Sequence, residues 1–104
     1  MTENDHELAQ SFHEQMLHIY ERAKKECNYK PTRFLTLVNS EGGVAAAKQL
    51  LRRGGYSEGL TRLWEEGRLD ISMEALVVAV HWRPLFTDEE IAQARKSLAD
   101  LGYP

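Results

Sequence analysis

The residues whose types best suit chemistry sit early in the chain. His13-Glu14 followed by His18 has the composition of a zinc-protease helix. That motif needs histidines at i and i+4, so that both rings reach one metal with the glutamate beside it. Here the spacing is i and i+5, which turns the rings about 140° apart on a helix of 3.6 residues per turn. His6 and His13 share a face but stand two turns apart, too far for one ion without other ligands. The three histidines therefore read as solvated side chains on an exposed helix face. Cys27 follows Lys24 and Lys25, cations that would favour a reactive thiolate. A helix C-terminus acts in the opposite sense, and Cys27 continues an apolar stripe, so it reads as a buried structural thiol. No serine lies in a nucleophile elbow, and no lysine-hydroxyl pair follows Gly42-Gly43 as a phosphate loop requires. Glu65 and Glu66 are adjacent on a helix, so their side chains diverge by about 100° and cannot act as one carboxylate pair. The expectation is a protein that is not an enzyme, with no catalytic residues, no metal ligands and no cofactor.

What remains is binding, on two surfaces. Leu8, Phe12, Met16, Ile19 and Tyr20 belong to one apolar stripe of the first helix. Left uncovered, that stripe would pair with a second copy or dock into a partner's groove; covered, it is an ordinary bundle helix. The second surface is the group Trp82, Arg83 and Phe86, with Trp64 close by. Tryptophan and arginine are enriched in binding hot spots, although tryptophan also serves as core. An alternative is nucleic acid, met by Lys30 and Arg33 near the start of the second helix and Lys48, Arg52 and Arg53 near the end of the third. Those last bases equally complement a helix C-terminus. Residues 34–66 also read as helix, Gly-Gly, Ala-rich helix, turn and helix, as a helix-turn-helix would. Its reading helix, 57–66, carries Glu58, Arg62, Glu65 and Glu66, a net charge of −2, which repels phosphates.

The elements that must position these groups are all helical by pattern. Over residues 3–27, Leu8, Phe12, Met16, Ile19, Tyr20, Ala23 and Cys27 fall within an arc of about 120°. Glu7, Glu14, His18, Glu21 and Lys25 lie opposite, with Glu21 and Lys25 in the favourable i,i+4 order. A second helix starts near Pro31 and buries Phe34, Leu37 and Val38. A third, from Val44 to about Arg53, offers Val44, Ala47, Leu50 and Leu51. Ser57 is a candidate N-cap for a fourth that carries Leu60, Leu63 and Trp64. Ser72 caps a fifth, Met73 to Trp82, apolar nearly all round and so expected to be central and enclosed. A buried strand competes there, because Val77, Val78 and Val80 are β-branched, but no other segment offers a partner strand. Thr87-Asp88-Glu89-Glu90 is a capping box for a sixth, whose stripe is Ile91, Ala94, Leu98 and Leu101. Gly42-Gly43, Gly54-Gly55, Gly67 and Gly102 stand where left-handed C-caps are wanted, and Pro84 marks a stop. The pattern predicts a compact all-α bundle of about six helices. Residues 1–28 form a longer amphipathic helix, packed on or extending from a core at 29–104.

Composition narrows the setting. One hundred and four residues make one domain, and 42% hydrophobic with 28% charged is globular composition. The net charge of −3 divides as −4 over residues 1–23, +3 over 24–83 and −2 over 84–104. That middle excess is weaker than a nucleic-acid binder usually shows. With one cysteine no intrachain disulfide forms, which fits a reducing cytosol. The longest apolar run, Ala75 to Val80, is six residues, far short of a membrane span. Met1 to His6 is acidic, unlike a signal peptide. The sequence reads as cytoplasmic, with no membrane partner.

Tyr29 to Phe34, Gly42-Gly43-Val44-Ala45-Ala46, Leu60 through Leu69-Asp70-Ile71-Ser72-Met73-Glu74, and Pro84-Leu85-Phe86-Thr87 together resemble a family of small, uncharacterised bacterial helical modules. Such modules are met alone or appended to larger proteins. The resemblance covers about residues 29–103 and leaves the first helix outside. It implies an accessory module and carries no activity or catalytic residues with it. The functional expectation is a non-enzymatic helical protein–protein interaction or accessory module, a homo-oligomer or docked on a larger partner. The alternative is a nucleic-acid-associated accessory domain.

Overall fold

A lone threonine followed by three acids fixes the start of the last helix, and serines do the same for two others. Thr87 Oγ1 accepts from the Glu90 N–H at 3.1 Å while the Glu90 carboxylate accepts from the Thr87 N–H at 2.8 Å, the reciprocal capping box. Ser57 accepts from the Leu60 N–H. Ser72 accepts from the Ala75 N–H and donates its own hydroxyl to the Leu69 carbonyl at 2.6 Å. The computed structural model describes residues 3–54 and 57–103, so the expected cap at Gly55 lies outside the described residues. Within them the fold is all-α, with no strand: α1 (Glu3–Cys27), α2 (Thr32–Glu41), α3 (Gly43–Arg53), α4 (Glu58–Glu65), α5 (Met73–Val77) and α6 (Asp88–Asp100). Short 3-10 turns occupy Leu69–Ile71 and Val80–Leu85.

At 1.5 Å per residue α1 is about 37 Å long, nearly the full 39 Å of the molecule. The other elements wrap it. It packs on α2, α3 and both 3-10 turns, and Phe12, Met16 and Ala23 of its stripe are wholly buried. The radius of gyration, 12.8 Å, is that of a close-packed chain of about this length. The tightest approach is α1 against α3, where Gly43, Ala46 and Ala47 are buried. A methyl group on Gly43 would lie 2.6 Å from the His13 Cα, so only glycine permits this crossing. Gly42, with φ at +87°, turns α2 into α3 in a single residue. Among the described residues no helix is long and apolar enough to cross a membrane.

Three expectations need correction. The fifth helix does not run from Met73 to Trp82. It ends at Val77, Ala79 is extended, and the chain resumes as the 3-10 turn Val80–Leu85. Pro84 explains this, because an α-turn there would drive its ring into the Val80 carbonyl. The turn leaves Val80 78% exposed, so the segment is not enclosed all round. Second, Glu21 and Lys25 do not pair. The ion pair forms one residue later, Arg22 to Glu26 at 3.0 Å, since Glu26 is also held by Arg68 at 2.8 Å. Third, His13 is not a solvated side chain. Its Nδ1 accepts the Gly43 N–H at 2.9 Å, satisfying a donor at the start of α3 that has no side-chain cap.

Candidate functional site

Once the core is filled, two features have no structural explanation. The first is Glu74. As the second residue of α5, after the Ser72 cap, its position suits a helix N-terminus, where most acids remain solvated. Instead Glu74 is 7% exposed. It lines a cavity of about 40 Å³ walled by Ile19 and Ala23 of α1, Phe34 of α2, Leu50 of α3 and Leu63 of α4, with Tyr29 and Ser57 also on its surface. Among the described residues the carboxylate accepts only from its own backbone N–H, and no charged neighbour acts on it. Burial pushes it up to about 7, the backbone hydrogen bond pulling weakly the other way. On the same wall burial raises the Tyr29 phenol, with Glu58 adding to the effect and Arg62 opposing it. The Arg62 guanidinium sits 5.2 Å from the Tyr29 ring centroid. This arrangement can hold a proton or receive a hydrogen-bond donor in an apolar setting.

The second feature is the outer face of α4. Leu60 and Leu63 close the core, while Trp64 stands 49% exposed. Glu58 and Glu65 of the same helix are also exposed, and neither joins an ion pair among the described residues. Glu66 is engaged by Arg62 at 3.3 Å.

The residues expected to bind a protein partner mostly face inward. Phe12, Met16 and Ile19 are core, and Leu8 and Tyr20 are half-buried. Trp82 and Phe86 turn onto α1: Phe12 meets the Trp82 ring at 5.4 Å and the Phe86 ring at 5.1 Å, both edge-on. Of that group Arg83 alone is exposed. The stripe is thus covered by the chain's own elements, because α3 and the Val80–Leu85 turn both lie on it. Neither α1 nor the Trp82 group is free to bind through those buried side chains.

The basic set is divided. Lys30, Arg33, Arg52 and Arg53 are exposed, with the start of α2 and the end of α3 bordering one cavity through Phe34 and Leu50. Lys48 is not available to phosphate. Its ammonium is 2.7 Å from the Glu90 carboxylate and 5.1 Å from the Phe86 ring. Burial alone would raise Glu90, but hydrogen bonds from Lys48 and Thr87 outweigh it and hold the carboxyl below its usual value. A groove beside it, lined by His6, Gln10, His13 and Lys48, has two of its polar groups already committed, to Gly43 and Glu90. Cys27 is buried and its thiol is raised chiefly by that burial. Among the described residues no three His, Cys, Asp or Glu side chains gather to hold a metal.

Sequence reasoning passed over Glu74, although one signal marks it: it is the single charged residue between Ile71 and Val80. Compared with the models of known protein families, with curated proteins and with solved structures, the chain matches none.

Proposed function

We propose that the chain is a non-enzymatic helical interaction module that docks on a larger protein through the outer face of α4, with Trp64 as its anchor. The observation that carries this reading is the half-exposed Trp64 on a helix whose other large apolar residues are buried. Tryptophan is among the residues most enriched in binding hot spots. The exposed Glu58 and Glu65 of the same helix, without ion pairs among the described residues, favour a partner with basic residues around an apolar pocket. A two-fold dimer through the same face would set these acids against their own copies, which favours a different protein over self-association. The resemblance of residues 29–103 to small bacterial helical modules fits an accessory role, and a cytoplasmic setting belongs to the same proposal.

The test is capture from nuclease-treated host lysate, comparing the wild type with Trp64→Ala and with Arg52→Glu/Arg53→Glu. A stoichiometric protein retained by the wild type and by the arginine variant, but lost with Trp64→Ala, supports the reading. Capture that disappears with nuclease or with the arginine variant places nucleic acid first instead. Capture unchanged in Trp64→Ala removes α4 as the contact.

A further inference from the structure

We infer that the Glu74 cavity is a binding site for the ammonium end of a small primary alkylamine. The inference goes beyond the docking face of α4 and does not depend on it. Its first support is the carboxylate itself, more than nine-tenths buried with only its own backbone N–H as donor. Ser72 already caps α5, and the helix terminus together with the backbone N–H of Glu74 offsets only part of the cost of its burial. A carboxylate buried in a largely apolar wall without a cation beside it weakens the fold it belongs to, whereas a cation brought to it removes that penalty.

The walls narrow the cation. Ile19, Ala23, Leu50 and Leu63 offer an aliphatic lining, and the Tyr29 and Phe34 rings stand with them. Aliphatic carbons pack on the first set, and aromatic faces attract an ammonium. The space is narrow, about 40 Å³, which suits the slender end of a primary alkylamine better than a planar guanidinium or a bulky quaternary ammonium. The molecule's own cations do not reach the carboxylate: Arg62 lies over Tyr29 and pairs with Glu66, and Lys30 and Arg33 are exposed. Among the described residues on the cavity wall only Glu74 and Tyr29 titrate, α2 and α3 contributing apolar side chains alone. Glu58 and Arg62 of α4 act on Tyr29 and not on Glu74. Exposed Ser57 marks the rim through which an amine would enter.

The probe is n-propylammonium chloride, titrated into the full chain and followed by amide chemical shifts, with 1-propanol and tetramethylammonium chloride as comparisons. A single saturable site is expected at pH 8, with 1-propanol and tetramethylammonium each weaker by about tenfold or more. Since the site takes the ionised carboxylate, the amine should bind about 30-fold more weakly at pH 5.5 than at pH 8. Glu74→Gln should lose at least about tenfold, and Glu74→Asp, which keeps the acid, should retain the preference for amine over alcohol. The amide spectrum of each variant reports separately that it is folded. Equal binding by wild type and Glu74→Gln, equal binding of amine and alcohol, or no saturable site would each overturn the inference.

Discussion

Replacing Glu74 by glutamine should change how stability depends on pH more than any other single substitution. A carboxyl at about 7 in the folded chain against 4.5 in the unfolded one means that the native state binds more protons between those values. Stability therefore falls as pH rises from about 4.5 to about 7 and is level above that. Each unit of difference is worth 1.36 kcal/mol, so the ionised, buried Glu74 costs about 3 kcal/mol at pH 8. That is a large share of the 5–15 kcal/mol typical of a domain. Glutamine carries no charge to desolvate, although its amide adds a pH-independent cost of about 1–2 kcal/mol for donors left without partners. The informative quantity is the difference between the two proteins across pH, in which that constant cancels. Urea unfolding followed by circular dichroism, at half-unit steps from pH 4.5 to 8, measures it. Glu74→Gln should gain about 3 kcal/mol on the wild type across the range, or roughly 15 °C in melting temperature for a chain of about 100 residues. A difference that stays constant to within about 0.5 kcal/mol would refute the burial argument, because a solvated carboxyl gives no slope above pH 5.

Three further outcomes follow from contacts already described. Gly43→Ala should destabilise by about 1–3 kcal/mol in denaturant melts, since the added methyl meets the His13 backbone. Helix propensity alone would predict a gain of about 1 kcal/mol, so the sign decides between them. Lys48→Met should cost about 1–2 kcal/mol of stability by leaving Glu90 without its ammonium partner, while any nucleic-acid affinity measured by anisotropy stays unchanged. Arg68 holds Asp70 through two bonds and Glu26 through a third; its hydrogen bonds lower the Asp70 carboxyl, and Glu26 is lowered first by Arg22 and then by Arg68. Depressed acids stabilise above their unfolded values and lose that contribution as pH falls. Arg68→Ala should therefore melt below the wild type at pH 6, with the gap narrowing as pH falls below the ordinary values of 4.5 for Glu26 and 3.8 for Asp70.

Local signals were legible in the sequence wherever the physics is local. The Thr87–Glu90 box, the serine caps at Ser57 and Ser72 and the stripe through Phe12, Met16 and Ala23 all depend on residues within a turn or two of one another. The structure departs from the sequence reading where distant segments decide. Leu60, Leu63 and Trp64 occupy one arc of α4, and periodicity alone assigns all three to the core. The neighbouring elements cover only the two leucines. His13 looks solvated on its own helix, and its acceptor role appears only when Gly43, thirty residues on, meets it. The break after Val77 was signalled by Pro84, but the β-branched run around it obscured where the helix would yield. Glu74 reads locally as a helix-dipole partner, and its place in a cavity shared with residues of α1, α2, α3 and α4 is set by distant segments. The inward turn of Trp82 and Phe86 has the same origin: a hot-spot composition and a core composition are the same residues.

The most direct test of the docking account places a photoreactive amino acid at position 64, with the same group at position 30 for comparison, and irradiates the folded chain in host extract. The account predicts one abundant crosslinked protein from position 64, of basic surface, and none of that product from position 30. Crosslinking from position 30 to nucleic acid, with no protein product from position 64, would contradict it.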